Sequence, residues 1–210
     1  MQIQYISIGS GTVFISITRY VGMWFMNVSF GASALYLTHV KKFNMDTHKY
    51  QPCRATLVKI NSKDKQDIKV LSKVNDRWDS GLSYLGNIID IACGDYYNTQ
   101  DDKIYALTLQ TQDYENLDPY KVLGVALINC SKDSYNSIDF IQADPAYKYS
   151  NGHFRFFKNI GKAMLRCIKK EAGNKVLKVF ALGKVIPFYE KYGFVGNPSE
   201  KYTMFWNKTK

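Results

Sequence analysis

The segment Lys158-Asn159-Ile160-Gly161-Lys162-Ala163 decides the fold, because it stands between a predicted strand and a predicted helix. Gly161 has no Cβ, so a bound phosphate can approach the backbone closely at this residue. The first amide N–H groups of a helix have no intrahelical partners, and the helix dipole makes that end positive. Lys158 and Lys162 add charge beside it. The segment fits a phosphate-binding loop, although a glycine near a helix start is by itself more often an ordinary turn.

The apolar spacing around this segment predicts an α+β fold. Helical spacing covers residues 65–91, with Gly81 as a break, and then residues 161–172 and 185–192. Strands are predicted at 55–60, 104–110, 122–129, 137–143, 176–182 and 202–206. Only the connection from 137–143 through the Gly161 helix to 176–182 requires a parallel pair. We therefore expect a mixed, largely antiparallel sheet flanked by helices.

The first 37 residues are apolar, and Arg19 carries their only charged side chain. Apolar residues alternate with serine and threonine on both sides of Gly9-Ser10-Gly11, a pattern typical of a β-hairpin. The run 21–37 is short and interrupted by polar residues, whereas a bilayer span needs about 20 strongly apolar residues. No basic segment precedes it, so a secretory signal is not favoured either.

These observations predict the domain organisation. Residues 1–50 are expected to form an N-terminal, β-rich extension, and residues 51–210 to form one domain. The protein is expected in the cytoplasm without a membrane span. A membrane tether formed by residues 21–37 is the alternative.

The net charge of +10 comes from the last part of the chain. Residues 151–210 contain 13 of the 28 Lys and Arg residues and only 3 of the 18 Asp and Glu residues. Such a segment favours a polyanion (nucleic acid, an anionic membrane or a phosphate-rich cofactor), or it forms a solvated helix face. The four cysteines and three histidines lack the spacing of zinc ligands, which predicts no metal and a reducing compartment.

Three segments resemble the GNAT superfamily of acetyl-coenzyme A-dependent acetyltransferases. KNIGKAML at 158–165 is similar to their Q/R-x-x-G-x-G/A coenzyme A loop, and VIPFYEKYGF at 185–194 is similar to their second signature. IDFIQADP at 138–145 resembles the strand before that loop. Lys158 replaces the usual Arg or Gln, and Ala163 replaces the last glycine. The resemblance covers about residues 51–207, and the insertion 146–157 would shape the acceptor site or lie on the surface.

The resemblance implies a set of site residues. Ile141, Gln142 and Ala143 would bind the pantetheine arm of acetyl-CoA through their backbone. Tyr189 falls on the family tyrosine near the thioester sulfur, where a phenol with a pKa of about 10 can act as general acid. Packing of Tyr189 in the core is the structural alternative, and Tyr192 is expected to be structural. The pyrophosphate would be held by the loop residues Lys158, Asn159, Ile160, Gly161, Lys162 and Ala163.

The sequence does not identify the general base. Asp139 stands where many GNAT members carry an acidic residue, and its alternation with Ile138 and Phe140 predicts that it lies on one sheet face. A structural salt bridge of Asp139 is the alternative. His153 in the insertion has a suitable pKa range. Attack by an amine that is already neutral would need no base.

The activity implied by the resemblance is N-acetyl transfer from acetyl-CoA directly to an amine in a ternary complex, without metal. The acceptor would be a protein amine, aminoacyl-tRNA or a small amine, and an acidic partner such as tRNA would suit the basic segment. The alternative from another class is a non-catalytic module that binds acyl-CoA or nucleic acid and retains the fold. The oligomeric state stays open, a homodimer included.

Overall fold

The structure, a computed structural model, describes residues 3–8, 12–18, 23–26, 31–78, 88–89, 102–130, 135–145 and 155–208. Its α-helices are α1 Lys65–Trp78, α2 Ile160–Ala172 and α3 Ile186–Lys191, and residues 88–89 are also helical. Its strands are β1 Ile3–Ile8, β2 Thr12–Thr18, β3 Met23–Met26, β4 Ser33–Asn44, β5 Lys49–Ile60, β6 Asp102–Thr108, β7 Val122–Asn129, β8 Tyr135–Ala143, β9 Phe157–Lys158, β10 Val176–Phe180, β11 Val195–Asn197 and β12 Glu200–Trp206.

Strands β4 to β12 form one sheet in the order β11-β12-β10-β8-β7-β6-β5-β4-β9. Within it only β8 and β10 are parallel neighbours, and every other neighbouring pair of described strands is antiparallel. The chain passes from β8 to β10 through α2. The predicted α+β fold with a mixed, largely antiparallel sheet and flanking helices is confirmed.

Each face of this sheet carries an apolar cluster that a helix covers. On one face α1 contributes Leu71, Val74 and Trp78, while on the other α2 contributes Met164 and Ile168. The central strand β7 is buried along nearly its whole length, as expected for a strand covered on both faces. Each fully buried aliphatic side chain contributes about 1.5–3 kcal/mol to folding. Together the two helices fix the position of the central strands.

The N-terminal strands β1, β2 and β3 form a second, three-stranded antiparallel sheet. The predicted β structure of this region is confirmed, whereas the turn Gly9-Ser10-Gly11 lies outside the described residues. The large sheet starts at Ser33, because β4 pairs with β5 along its length. The division at residue 50 stays a prediction. None of the helices in the described ranges is long and apolar enough to span a bilayer.

Three strands of the large sheet were not predicted, namely β4, β9 and β11. β4 and β5 form a long hairpin whose turn is held by Asn44, since its Oδ1 accepts the amide hydrogens of Asp46 at 2.8 Å and Thr47 at 2.9 Å. The helix predicted over 65–91 ends at Trp78, and its second part falls mostly outside the described residues. The other predicted strands and helices occur with ends shifted by a few residues.

Candidate active site

The parallel strands β8 and β10 separate halfway along β8. Their pairing covers Tyr135 to Ile138 of β8 and Val176 to Val179 of β10. Beyond Ile138, β8 continues to Ala143 and pairs only with β7 among the described strands. A wedge-shaped gap therefore opens between the second half of β8 and the end of β10, which we call the β8–β10 gap.

The backbone of β8 presents hydrogen-bonding groups to this gap. The Asp144 amide donates to the Leu123 carbonyl at 2.9 Å, which directs the backbone of Asp144 toward β7. Because backbone groups of a strand alternate in direction, the amide and carbonyl groups of Ile141 and Ala143 point away from β7. The same alternation turns the backbone of Gln142 toward β7, and its side chain is buried. The backbone groups of Ile141 and Ala143 therefore face the gap, whereas those of Gln142 face β7.

A β-bulge at Asp139 marks the start of the gap. Ile138 lies opposite Ile128 and Phe140 lies opposite Leu127, so Asp139 has no partner across the ladder. Ile138 belongs to the cluster under α2, whereas Phe140 packs against the cluster under α1. The expectation that Asp139 alternates regularly between these two neighbours was therefore wrong, because the bulge inserts an extra residue and shifts the faces.

Asp139 is exposed, and neighbouring protein atoms partly desolvate its carboxyl group. Desolvation raises its pKa, a hydrogen bond from Ser137 opposes this shift, and the charge of Asp102 adds to it. No described cation forms a salt bridge with it. A carboxylate with a raised pKa at the start of a gap is suited to accepting a proton.

The N-terminus of α2 lies at the other end of the gap. A Cβ on Gly124 would come within 2.5 Å of the Met164 Sδ, 3.2 Å of an Ile160 methyl carbon and 3.1 Å of the Gln142 carbonyl oxygen. Gly124 therefore allows the first turn of α2 to lie directly on β7 and β8. Since Gly124 is opposite Ala143 in the ladder, the positive end of the helix is beside the end of β8.

The loop that precedes α2 turns sharply at Asn159. This residue has φ 68° and ψ 19°, a left-handed conformation that asparagine tolerates better than most residues. The Ala163 amide donates to the Asn159 carbonyl at 2.9 Å, and this is the first hydrogen bond of the helix. The amides of Ile160, Gly161 and Lys162 precede it and have no intrahelical acceptor. Three amides, rather than the four expected from the sequence, are thus directed out of the helix end.

The two lysines of the loop have different surroundings. The Lys158 ammonium lies over the Tyr50 ring, 3.8 Å from its centroid, so it faces β5. Lys162 is half-buried in the first turn of α2. Lys162 therefore belongs to the helix end itself, whereas the Lys158 ammonium is directed toward Tyr50.

Gly161 brings α2 into contact with the helix that carries Tyr189. A Cβ at Gly161 would lie 3.1 Å from the Phe188 Cζ atom. Phe188 stacks edge-on against Tyr189, with ring centroids 5.2 Å apart, and against Tyr192 at 5.0 Å. The missing side chain of Gly161 thus lets the Phe188 ring sit against the loop, a use of this glycine that the sequence pattern did not indicate.

Tyr189 is buried, with 5% of its surface exposed, and its ring also packs edge-on against Phe194 at 5.3 Å. Desolvation raises the pKa of Tyr189 to about 12. The phenol consequently stays protonated at neutral pH, as a proton donor requires. The core packing expected as the structural alternative is present as well, and the two roles are compatible.

Lys169 is a residue that sequence analysis missed. Its ammonium donates to the Tyr192 carbonyl at the end of α3, and it lies 5.1 Å from the Phe194 ring and 4.8 Å from the Trp206 ring. Desolvation lowers the pKa of Lys169. A cation at a helix C-terminus stabilises that helix, so Lys169 holds the end of α3 in place. A lysine on the apolar side of a helix, four residues before Gly173, was the available signal.

Metal ligands do not cluster among the described residues. His153, the other candidate base, and residues 146–154 of the insertion lie outside the described residues. The candidate site residues that the structure describes therefore lie along β8 at the β8–β10 gap, in the first turn of α2 and in α3.

Three solved structures to which the chain is similar share 12–14% sequence identity with it. The chain is similar to a histone acetyltransferase HPA2-related protein of Corynebacterium glutamicum at 14% identity and TM-score 0.47, over 74% of this chain and 97% of that chain. It is similar to Tetrahymena GCN5 at 12% identity and TM-score 0.44, over 70% and 91%. It is also similar to AtaT complexed with acetyl-methionyl-tRNAfMet at 13% identity and TM-score 0.44, over 73% and 94%.

No protein-family model and no curated protein matches the sequence. The motifs at 138–145, 158–165 and 185–194 occupy β8, the first turn of α2 and helix α3, in the order and on the elements that the resemblance implied. The sheet is mixed with a single described parallel pair, at the strand that precedes the loop. The chain therefore has a GNAT-like fold.

Proposed function

We propose that this chain is an acetyl-CoA-dependent N-acetyltransferase of the GNAT superfamily that transfers acetyl to an amine in a ternary complex. One observation carries the proposal, namely the β8–β10 gap with the free helix end of α2 at one end. An extended amide-bearing chain can pair with the backbone of Ile141 and Ala143, and a pyrophosphate can accept from the amides of Ile160, Gly161 and Lys162.

The reaction follows from the groups around the gap. The amine nitrogen attacks the thioester carbon, the carbon–sulfur bond breaks, and the departing thiolate takes the proton of the Tyr189 hydroxyl. Asp139 accepts the proton that the amine loses and then releases it to solvent, and solvent returns a proton to Tyr189. Direct transfer needs no covalent intermediate on the protein, and acetyl-CoA is the only co-substrate. We place this reaction in the cytoplasm, where acetyl-CoA is available.

The acceptor is an amine on a protein, on aminoacyl-tRNA or on a small molecule. Incubation of the purified chain with radiolabelled acetyl-CoA and each of these three classes tests the proposal. The proposal is supported if label is transferred to one of the three classes and the transfer is lost when Tyr189 is replaced. Tight acetyl-CoA binding without transfer to any class would favour the non-catalytic acyl-CoA-binding module instead.

A further inference from the structure

The outer edge of the large sheet carries a cluster of positive charge. Residues 33–60, which form β4, β5 and their turn, contain five Lys and Arg residues and one acidic residue, Asp46. Lys41 and Arg54 are exposed, and so is Lys158 of β9. Among the described residues, no carboxylate forms an ion pair with any of these three cations. Residues 146–154, which precede β9 in sequence, contain no acidic residue.

The strand register places these cations on one face of the edge. Lys41 lies directly opposite Lys158, and Arg54 lies opposite His39. Because side chains alternate along a strand, Lys41 and His39 share a face, and their opposite residues share it as well. We call the four residues His39, Lys41, Arg54 and Lys158 the basic face.

The close cations of the basic face lower the stability of the fold when no anion is bound. Like charges directly opposite each other in adjacent strands repel, and the Lys41–Lys158 pair is of this kind. The repulsion would be relieved by an anion that contacts both ammonium groups. A polyanion does this most effectively, because it supplies several charges along the strand edge.

Two aromatic rings stand beside these cations. Phe43 is opposite Tyr50 in the ladder, and both belong to the same face as Lys41 by strand alternation. Both rings are half-buried, with centroids 5.2 Å apart. Lys158 lies over Tyr50, which joins the rings to the charges. Cations interleaved with aromatic rings match the way proteins bind single strands, where phosphates meet lysines and unpaired bases stack on rings.

We propose that the basic face, together with Phe43 and Tyr50, binds a single-stranded nucleic acid. The phosphates contact Lys41, Arg54 and Lys158, and an unpaired base stacks on Tyr50 where the Lys158 ammonium now lies. This inference goes beyond the proposed acetyl transfer and does not depend on it. An anionic membrane would use the same charges without the rings, so the two partners are separable by experiment.

Fluorescence anisotropy with the full chain and a labelled 12-nucleotide single-stranded RNA tests the proposal, in the absence of acetyl-CoA and over a series of salt concentrations. The variant Lys41→Glu/Arg54→Glu should weaken binding about tenfold or more and make the salt dependence shallower by about 1.4, since each phosphate contact contributes about 0.7 on single strands. The control Lys69→Glu/Lys73→Glu changes net charge equally on exposed positions of α1 and should bind nearly as the unmodified chain does.

The variant Tyr50→Ala tests the ring. Base stacking on an aromatic side chain implies a loss of about fivefold or more in affinity, with the salt dependence unchanged. Equal loss in the α1 control, equal affinity for the matched duplex, or no RNA binding would overturn the proposal. Binding to phosphatidylserine vesicles that is lost in the Lys41→Glu/Arg54→Glu variant, while RNA does not bind, would assign the surface to a membrane and overturn it too. Circular dichroism shows whether each variant is folded.

Discussion

The pKa of Tyr189, raised to about 12 by burial, lies far above the pH range in which acetyl transfer is assayed. If its proton completes the departure of the thiolate, Tyr189→Phe should lower kcat by about 10²–10⁴-fold. The affinity for acetyl-CoA should change little, because the ring and its contacts with Phe188 and Phe194 stay in place. Steady-state kinetics together with calorimetric titration of acetyl-CoA measure the two quantities separately.

Tyr192→Phe is the matched control for this substitution. Tyr192 also packs edge-on against Phe188, but it is half-buried and follows the last residue of α3. Its removal should leave kcat within a few-fold of the unmodified chain. Similar kcat values for both variants would make Tyr189 a packing residue and would require another proton donor.

The pH dependence of the reaction tests the role of Asp139. A general base must be ionised, so activity should rise as the pH increases through the pKa of the Asp139 carboxyl. Desolvation and the charge of Asp102 raise this pKa, and a hydrogen bond from Ser137 partly opposes them, so the rise should lie at a higher pH than for an unperturbed aspartate. In Asp139→Asn this limb of the pH–rate profile should disappear. An unchanged profile in that variant would assign the limb to the amine substrate instead.

At the scale of secondary-structure elements, the first turn of α2 is tested by Gly161. A glutamate there would add a negative charge among the outward amides and displace Phe188, so Gly161→Glu should abolish acetyl-CoA binding in calorimetry. Gly161→Ala needs the Phe188 ring to move by only a few tenths of an ångström. It should therefore bind more weakly than the unmodified chain, with Phe188→Leu restoring part of the loss. Unchanged affinity in Gly161→Glu would remove this loop from the binding site.

The end of β8 is tied to α1 by an ion pair. Arg77 lies 3.0 Å from Asp144, whose side chain is almost fully buried, and it also donates to the carbonyls of Tyr120 and Val122. Loss of one member of a buried pair costs about 3–5 kcal/mol, and the partial exposure of Arg77 places this pair toward the lower value. Asp144→Asn should lower the free energy of unfolding accordingly in urea denaturation. The surface pair Lys121–Asp118 is the control, and Asp118→Asn should cost less than about 1 kcal/mol.

The sequence was sufficient for elements whose apolar pattern is strong. The continuous apolar run of β7 and the spaced apolar residues of α2 predicted both elements almost to the residue. β4 was not predicted, because lysines and polar residues interrupt the apolar pattern near the turn. β9 has only two residues and depends entirely on β4 for its hydrogen bonds, so local pattern gives no sign of it.

The candidate site was predictable in part for the same reason. The motif residues Gly161 and Tyr189 could be recognised by resemblance, but the bulge at Asp139 is set by the pairing of β7 with β8, which is a tertiary property. The opposition of Lys41 and Lys158 joins residues more than a hundred positions apart. Charge counted along the chain placed the whole excess after residue 150, and this hid the local cluster on β4 and β5.

At the scale of the whole molecule, the N-terminal sheet and the large sheet make separable predictions. β1 to β3 pair only with one another among the described strands, so a chain that begins at Gly31 should keep the large sheet and its acetyl-CoA affinity.

The full-length chain should be recovered without detergent at low and at high salt, since high salt removes only electrostatic attachment to membranes. If the full-length chain needs detergent for recovery and the shorter chain does not, residues 1–30 are a membrane anchor.

The sheet also has a long outer strand, β4, that the other described strands cover only in part on its outer side. β4 has twelve residues, and among the described residues its ladder with β9 joins only Lys41 and Lys42, next to a hydrogen bond from the Phe43 amide to the Phe156 carbonyl. An uncovered strand edge is a template for pairing with a strand of another molecule, and lysines are among the residues that prevent it. Lys41 and Lys42 are the lysines of β4 and border its unpaired residues, so replacement of both by valine should lead to fibrillar aggregation of the folded protein, detectable by thioflavin fluorescence. Lys41, which would contact a polyanion, thus also helps to keep neighbouring copies of the chain apart.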